Sequence, residues 1–134
     1  MFRKPVIGID FDGTVVDHRY PDIGAEVPGA VKWMRKFAKA GAMLILWTMR
    51  DGHDLEDAVD WFKMRKIKLY GVNMNPTQSG WTKSQKAYCQ IYIDDASACV
   101  PLHENPRCGG RPYVDWDVVG PWVMEQIERK VVRV

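Results

Sequence analysis

The chain lacks a long apolar run, a cysteine framework and a marked surplus of either charge. No stretch approaches the ~20 apolar residues that span a bilayer, so a membrane-spanning helix is excluded. Residues 1–4 run directly into an apolar segment and leave no room for a signal peptide, which predicts a cytoplasmic protein. The three cysteines, Cys89, Cys99 and Cys108, are odd in number and contain no C-x-x-C pair, so they argue for reduced thiols rather than a disulfide scaffold. Cys99, His103 and Cys108 are too irregularly spaced to read as a zinc set. With 19 basic and 17 acidic residues the net charge is +2, too little to mark nucleic acid or a membrane surface as the main partner. Two local basic groups, Lys63, Arg65, Lys66, Lys68 and Arg129, Lys130, Arg133, read as solvated helix faces, with nucleic-acid contact the less favoured reading. There is no internal repeat, low-complexity tract or linker, and residues 1–134 are expected to form a single domain.

The richest segment is residues 5–14, P-V-I-G-I-D-F-D-G-T. Val6, Ile7 and Ile9 form the kind of apolar run that suits a strand covered on both faces, and ligands of open α/β sheets collect beyond the carboxyl ends of such strands. Asp10 and Asp12 stand at that end. Two close carboxylates repel, so one takes up a proton or a cation neutralises the pair, and magnesium is the hard, oxygen-preferring candidate. Gly13 permits a sharp turn and a close ligand approach, and Thr14 offers a hydroxyl and an amide.

The same pattern recurs downstream. Residues 15–28 are polar and aperiodic, a loop or small hairpin. Pro28 and Gly29 open a helix with Val31, Met34, Phe37 and Ala38 on one face, stopped by Gly41. Residues 42–47 read as a second buried strand that ends on Thr48. Asp54 is expected to cap a helix carrying Leu55, Ala58, Val59, Phe62 and Met64, followed by a strand over 68–72. After a polar loop over 73–82, a strand over 90–93 runs into Asp94 and Asp95. A short edge strand is expected at 112–114, and Gly120-Pro121 reads as the start of a closing helix with Val123, Ile127 and Val131 on one face. Strands alternating with helices predict a mostly parallel sheet with right-handed crossovers. Its strand ends would share one edge, where Asp10, Asp12, Thr48, Asp94 and Asp95 converge. Aspartate and threonine often cap helices after strands, but so many carboxylates at one edge call for a metal.

In these residues the sequence resembles the haloacid dehalogenase-like (HAD) superfamily of phosphohydrolases. Asp10 to Thr14 matches the family's first motif residue by residue; the run ending in Thr48 is similar to the second, and Ile93 to Asp95 to the acidic fourth. The third motif is a single basic residue, assigned to Lys86 with Lys83 as the alternative. The resemblance implies a three-layer α/β/α Rossmann-like fold and a Mg2+-dependent phosphatase. Asp10 would be the nucleophile that forms an aspartyl-phosphate, and Asp12 the acid that protonates the leaving group and the base that then activates water. Thr48 and Lys86 would hold the phosphoryl oxygens. The metal ligands implied are Asp10, Asp12 through its carbonyl, and Asp94, with Asp95 either ligating or acting through water. Candidate substrate contacts are Phe11, Gly13 and Thr14 beside the nucleophile, Met49 and Arg50 after Thr48, and His18 and Arg19 in the following loop. Asp12 favours phosphoryl transfer over dehalogenation.

The intervals from Thr14 to Thr48 and from Thr48 to Lys86 have no space for the cap domain of many family members. A capless site stays open unless another subunit covers it, and suits a large phosphorylated substrate without excluding a small one. The runner-up reading is a nucleotide or polynucleotide-end phosphatase, favoured if the basic groups flank the site. A non-catalytic phosphoacceptor module is the reading from another class; signalling receiver domains order their acidic residues differently and have no use for Asp12. The stretch from His18 to Gly24, H-R-Y-P-D-I-G, has a counterpart in small capless HAD-like proteins of bacteria and phages but no role that the sequence assigns.

Overall fold

The apolar runs of the sequence become neighbouring strands of one sheet. A computed structural model describes residues 2–3, 5–129 and 132–133. Strands β2 (Val6–Ile9), β3 (Met43–Leu46), β4 (Gly71–Val72) and β5 (Ile91–Ile93) form a four-stranded sheet in the order β4-β3-β2-β5. All three pairings are parallel, with Ile9 opposite Leu46 on one side and Ile93 on the other. Strands β1 (Phe2–Arg3) and β8 (Val132–Arg133) pair separately, as do β6 (Leu102–His103) and β7 (Tyr113–Val114). The expected edge strand at 112–114 therefore exists as β7, but it pairs with β6 and lies outside the main sheet.

Helices α1 (Ala30–Lys39) and α2 (Gly52–Met64) are the crossovers from β2 to β3 and from β3 to β4. Both crossovers step the same way along the sheet, so right-handed connections place both helices on one face. The closing helix α3 (Trp116–Arg129) joins them there: Phe37, Phe62 and Trp116 share one buried cluster with Ile7, Ile9, Leu44, Leu46, Ile91 and Ile93. The step from β4 back to β5 must cross the opposite face. Residues 73–90 make that crossing as irregular chain with a single 3-10 turn, Gln78–Gly80, and bury Ala87 and Cys89 against Val6 and Ile45. The α/β fold with its parallel sheet agrees with the sequence; the layer on this second face is thin and mostly coil.

Two helix starts differ from expectation. α2 begins one turn early, behind Asp51, with Asp54 in its first turn, where a negative charge suits the helix N-terminus. α3 begins at Trp116 rather than at Gly120-Pro121, and Asp115 Oδ1 accepts the Asp117 amide at 3.1 Å as a cap. Pro121 thus lies inside the helix and forfeits one backbone bond. Gly120 serves packing instead of initiation: a Cβ there would overlap the Trp33 ring of α1. Val131, expected on the same helix face, lies outside the described residues.

Candidate functional site

Three parallel strands deliver polar residues to one edge of the sheet: β2 leads to Asp10, β3 to Thr48, and β5 to Asp94 and Asp95. The Asp10 amide donates to the Ile93 carbonyl at 2.9 Å, which ties the two acidic strand ends together. One carboxylate oxygen from each of Asp10, Asp94 and Asp95 lies within 4.8 Å of the other two. Among the described residues this is the group of metal-capable side chains that the fold assembles; Cys99, His103 and Cys108 do not form one.

The turn after β2 is shaped for this cluster. Gly13 has φ 84°, and a Cβ there would overlap the His18 ring and come within 2.6 Å of Asp95 Oδ2, so both backbone and space demand glycine. Thr14 is fully buried; its hydroxyl donates to Asp10 Oδ2 at 2.9 Å and accepts the Asp95 amide at 3.1 Å. From behind, the Val114 amide donates to the Gly13 carbonyl at 3.1 Å and the Trp116 indole to the Thr14 carbonyl at 2.8 Å. β7 and α3, though distant in sequence, thereby brace the turn.

Burial and the neighbouring Asp94 push the Asp10 carboxyl up to about 8, with Asp95 adding to the effect and the Thr14 hydroxyl opposing it. Asp94 is also raised, first by burial and then by Asp95, against the Ala96 amide that donates to its Oδ1 at 2.8 Å. His18 Nε2 lies 2.9 Å from Asp95 Oδ2 and is the cationic-capable partner of the cluster. An all-oxygen donor set, closely spaced and ill at ease as free anions, fits a hard divalent cation such as Mg2+.

A cleft of about 710 Å³ opens beside Asp10 and Asp94, with Thr48, Met49, Asn73 and Lys83 in its wall. Thr48 is held by its own amide, which donates to Asn73 Oδ1 at 2.7 Å. Its hydroxyl accepts the Arg50 amide at 3.2 Å and keeps its proton for a ligand. The far wall is irregular chain, whose polar groups need partners that a helix would have supplied. Two buried amides provide them. Asn75 Nδ2 donates to the Tyr88 carbonyl at 2.9 Å, while Gln78 Nε2 donates to the carbonyls of Ser84 (3.1 Å) and Lys86 (3.0 Å) and its Oε1 accepts the Tyr88 amide at 2.7 Å.

No family model matches the chain, and no curated protein matches it. Among solved structures, a conserved protein from Bacteroides thetaiotaomicron is 32% identical, with a TM-score of 0.75 over 92% of this chain and 93% of that one. The chain belongs to the family of that conserved Bacteroides protein.

In this member of the Bacteroides protein's family, the geometry replaces several sequence expectations. Arg50 is not a substrate contact: it is 2% exposed and all five of its N–H donors are used internally. Nε and Nη2 each donate to Asp12 at 2.8 Å; further bonds reach the carbonyls of Pro21 (3.0 Å), Asp22 (2.8 Å) and Asp54 (3.4 Å). The hydrogen bonds to Asp12 raise the guanidinium's pKa despite its burial. The Asp12 carboxylate accordingly turns to Arg50 and is not part of the three-carboxylate group. The Phe11 side chain is fully buried, edge-on to Trp61, and the Gly13 and Thr14 amides bond to Val16 and Phe11 carbonyls within the turn. Phe11 and Thr14 therefore shape and orient the turn rather than offer side chains to a ligand.

Lys86 is not in the cleft. Its Nζ sits 5.4 Å over the Tyr92 ring, because the Gln78 bonds fix the backbone of 84–88 against the sheet; Lys83, the alternative, lines the cleft. Met49 is 97% exposed at the cleft, and Arg19 is exposed on the loop. Asn73, Asn75, Gln78 and Trp116 were not singled out from sequence as site-forming, since each falls there in an ordinary connecting segment.

Proposed function

We propose that this protein is a Mg2+-dependent phosphohydrolase of the HAD type, a phosphomonoesterase working through an aspartyl-phosphate. The observation that carries the reading is Asp10, oriented by Thr14, clustered with Asp94 and Asp95 and opening onto a cleft. Asp10, Asp94, Asp95 and the Asp12 carbonyl would hold the cation. When bound, Mg2+ neutralises the carboxylates and the incoming phosphate, so that an anion can approach an anion.

The Asp10 carboxylate attacks phosphorus in line; the Asp10 O–P bond forms as the bond to the leaving oxygen breaks, and that oxygen takes a proton that Asp12, loaded beforehand from solvent, carries on its face turned away from Arg50. Asp12 then takes a proton from water as the water oxygen attacks the same phosphorus, freeing phosphate and restoring Asp10. Thr48 donates its hydroxyl to one non-bridging oxygen and Lys83 compensates the charge of another, so positioning and electrostatics supply most of the acceleration. No inserted domain separates these elements: residues 15–47 hold the loop, α1 and β3, and the cleft admits phosphorylated substrates of varied size, macromolecular ones included.

The basic run at 63–68 starts in the last turn of α2 and ends before β4, at the sheet edge opposite the carboxylates. That position gives the polynucleotide-end reading no support. The test is hydrolysis of an aryl phosphate with and without Mg2+. Turnover that needs the metal and vanishes in Asp10→Asn supports the reading; metal-independent turnover, or full activity in Asp10→Asn, overturns it. A screen of phosphorylated metabolites, phosphopeptides and 3′- and 5′-phosphorylated oligonucleotides then defines the substrate.

A further inference from the structure

We infer that Arg50 is the positioning residue of Asp12, and that the Tyr20-Pro21-Asp22 segment is the mount that holds Arg50; the inference rests on the phosphohydrolase reading. A carboxylate that serves one reacting oxygen and then another must keep its plane fixed, since displacement by about 1 Å can cost about two orders of magnitude in rate. Asp12 stands outside the three-carboxylate group. Its two oxygens instead meet Nη2 and Nε of one guanidinium, each at 2.8 Å, a paired geometry that fixes both direction and plane. Each oxygen retains a lone pair on the side away from Arg50, and the Asp12 side chain is 17% exposed, so the carboxylate is fixed without being sealed.

Arg50 is itself fixed from four directions. The carbonyls of Pro21 and Asp22 accept from one side and that of Asp54, in the first turn of α2, from another. The guanidinium carbon lies 5.1 Å from the centroids of both Phe11 and Tyr20. Phe11 is core, but Tyr20 is 59% exposed, and an aromatic ring left largely in water is accounted for by the cation beneath it. The H-R-Y-P-D stretch, without a role in the sequence, thus supplies one ring and two carbonyls to the group that holds Asp12. Lysine in place of Arg50 keeps the charge but cannot reproduce two parallel bonds to one carboxylate.

The experiment compares kcat and KM for an aryl phosphate, at saturating Mg2+, in wild type, Arg50→Lys, Asp12→Asn and the double variant, with circular dichroism to confirm folding. Arg50→Lys is expected to lower kcat about 30-fold with KM within about 2-fold, and to cost nothing further in the Asp12→Asn background. Losses that multiply in the double variant, a loss carried by KM, or an unchanged or raised kcat in Arg50→Lys would overturn the inference. If Arg50→Lys fails to fold, Tyr20→Leu removes only the exposed ring; its kcat is expected to fall about 3-fold in wild type and not at all in Asp12→Asn. An equal fall in both backgrounds overturns the inference. A wild type with no Asp10-dependent turnover is a different failure, since it removes the phosphohydrolase reading on which the inference stands.

Discussion

Asp10 and Asp12 are separated by one residue, yet the fold surrounds one with negative charge and the other with positive. Asp10 follows β2 in the strand direction and meets Asp94 and Asp95 at the end of β5. Asp12 lies in the turn that folds back toward Val16, and there it meets a buried arginine. The first arrangement leaves charge in want of a cation, whereas the second is already neutral. Removing either partner of the Asp12–Arg50 pair strands a charge that is largely out of water, at a cost of about 3 kcal/mol or more. Removing Asp10 relieves repulsion. The two aspartates therefore differ in what they contribute to stability as well as in their proposed chemistry, and that difference can be tested directly.

The largest expected effect is that of Asp10→Asn, which deletes the proposed nucleophile. Turnover of an aryl phosphate should fall by at least about 10⁴-fold with the fold intact, and Mg2+ should lose much of its ability to raise the melting temperature. If the variant keeps activity, the proposed roles of the two aspartates are reversed or absent. Asp12→Asn should be milder, lowering kcat by about 10²–10³-fold and leaving labelled phosphate on the acid-quenched protein, because breakdown of the phosphoenzyme, deprived of its base, becomes slower than its formation. Absence of trapped phosphoenzyme, with turnover near wild type, would mean that Asp12 serves only its pairing with Arg50. Smaller still is the expected loss in Lys83→Ala, about 10-fold in kcat/KM, against a change within about 2-fold for Lys86→Ala. The reverse order would show that the loop rearranges to bring Lys86 in.

The sequence made the sheet and its acidic edge legible because both are local: apolar runs of strand length followed at once by Asp10, Thr48 or Asp94. What it hid was pairing over distance. Arg50 is two residues from Thr48 and reads as an exposed cation, and only folding shows that Asp12, Pro21 and Asp22 consume its donors. Lys83 and Lys86 are equally spaced for a motif that consists of one basic residue; a buried Gln78, whose amide replaces missing helix bonds, holds the Lys86 backbone away from the cleft that Lys83 lines. The start of α3 departs from the sequence pattern for a related reason. Gly120-Pro121 has the chemistry of a helix start, but Gly120 is there to let Trp33 pack, and Asp115 had already capped the helix.

The subtlest expectation concerns stability and pH without added metal. The Asp10 carboxyl titrates at about 8 in the folded protein against an ordinary 3.8. Below 3.8 it is protonated folded or unfolded, and its contribution to stability is fully present. Between these values the unfolded chain has released the proton while the folded chain still binds it, so stability falls as pH rises and levels off above 8. Asp94, also raised, acts in the same direction. Melting temperatures measured in chelator should therefore decline from pH 5 to pH 8 in wild type and decline less in Asp10→Asn, which carries no proton to lose at that position. The two proteins should melt close together at pH 5, with the variant higher by about 3–6 °C at pH 8. Parallel curves for wild type and Asp10→Asn would mean that Asp10 is solvated well enough to ionise freely, and the contrast between the two aspartates would then be one of geometry alone.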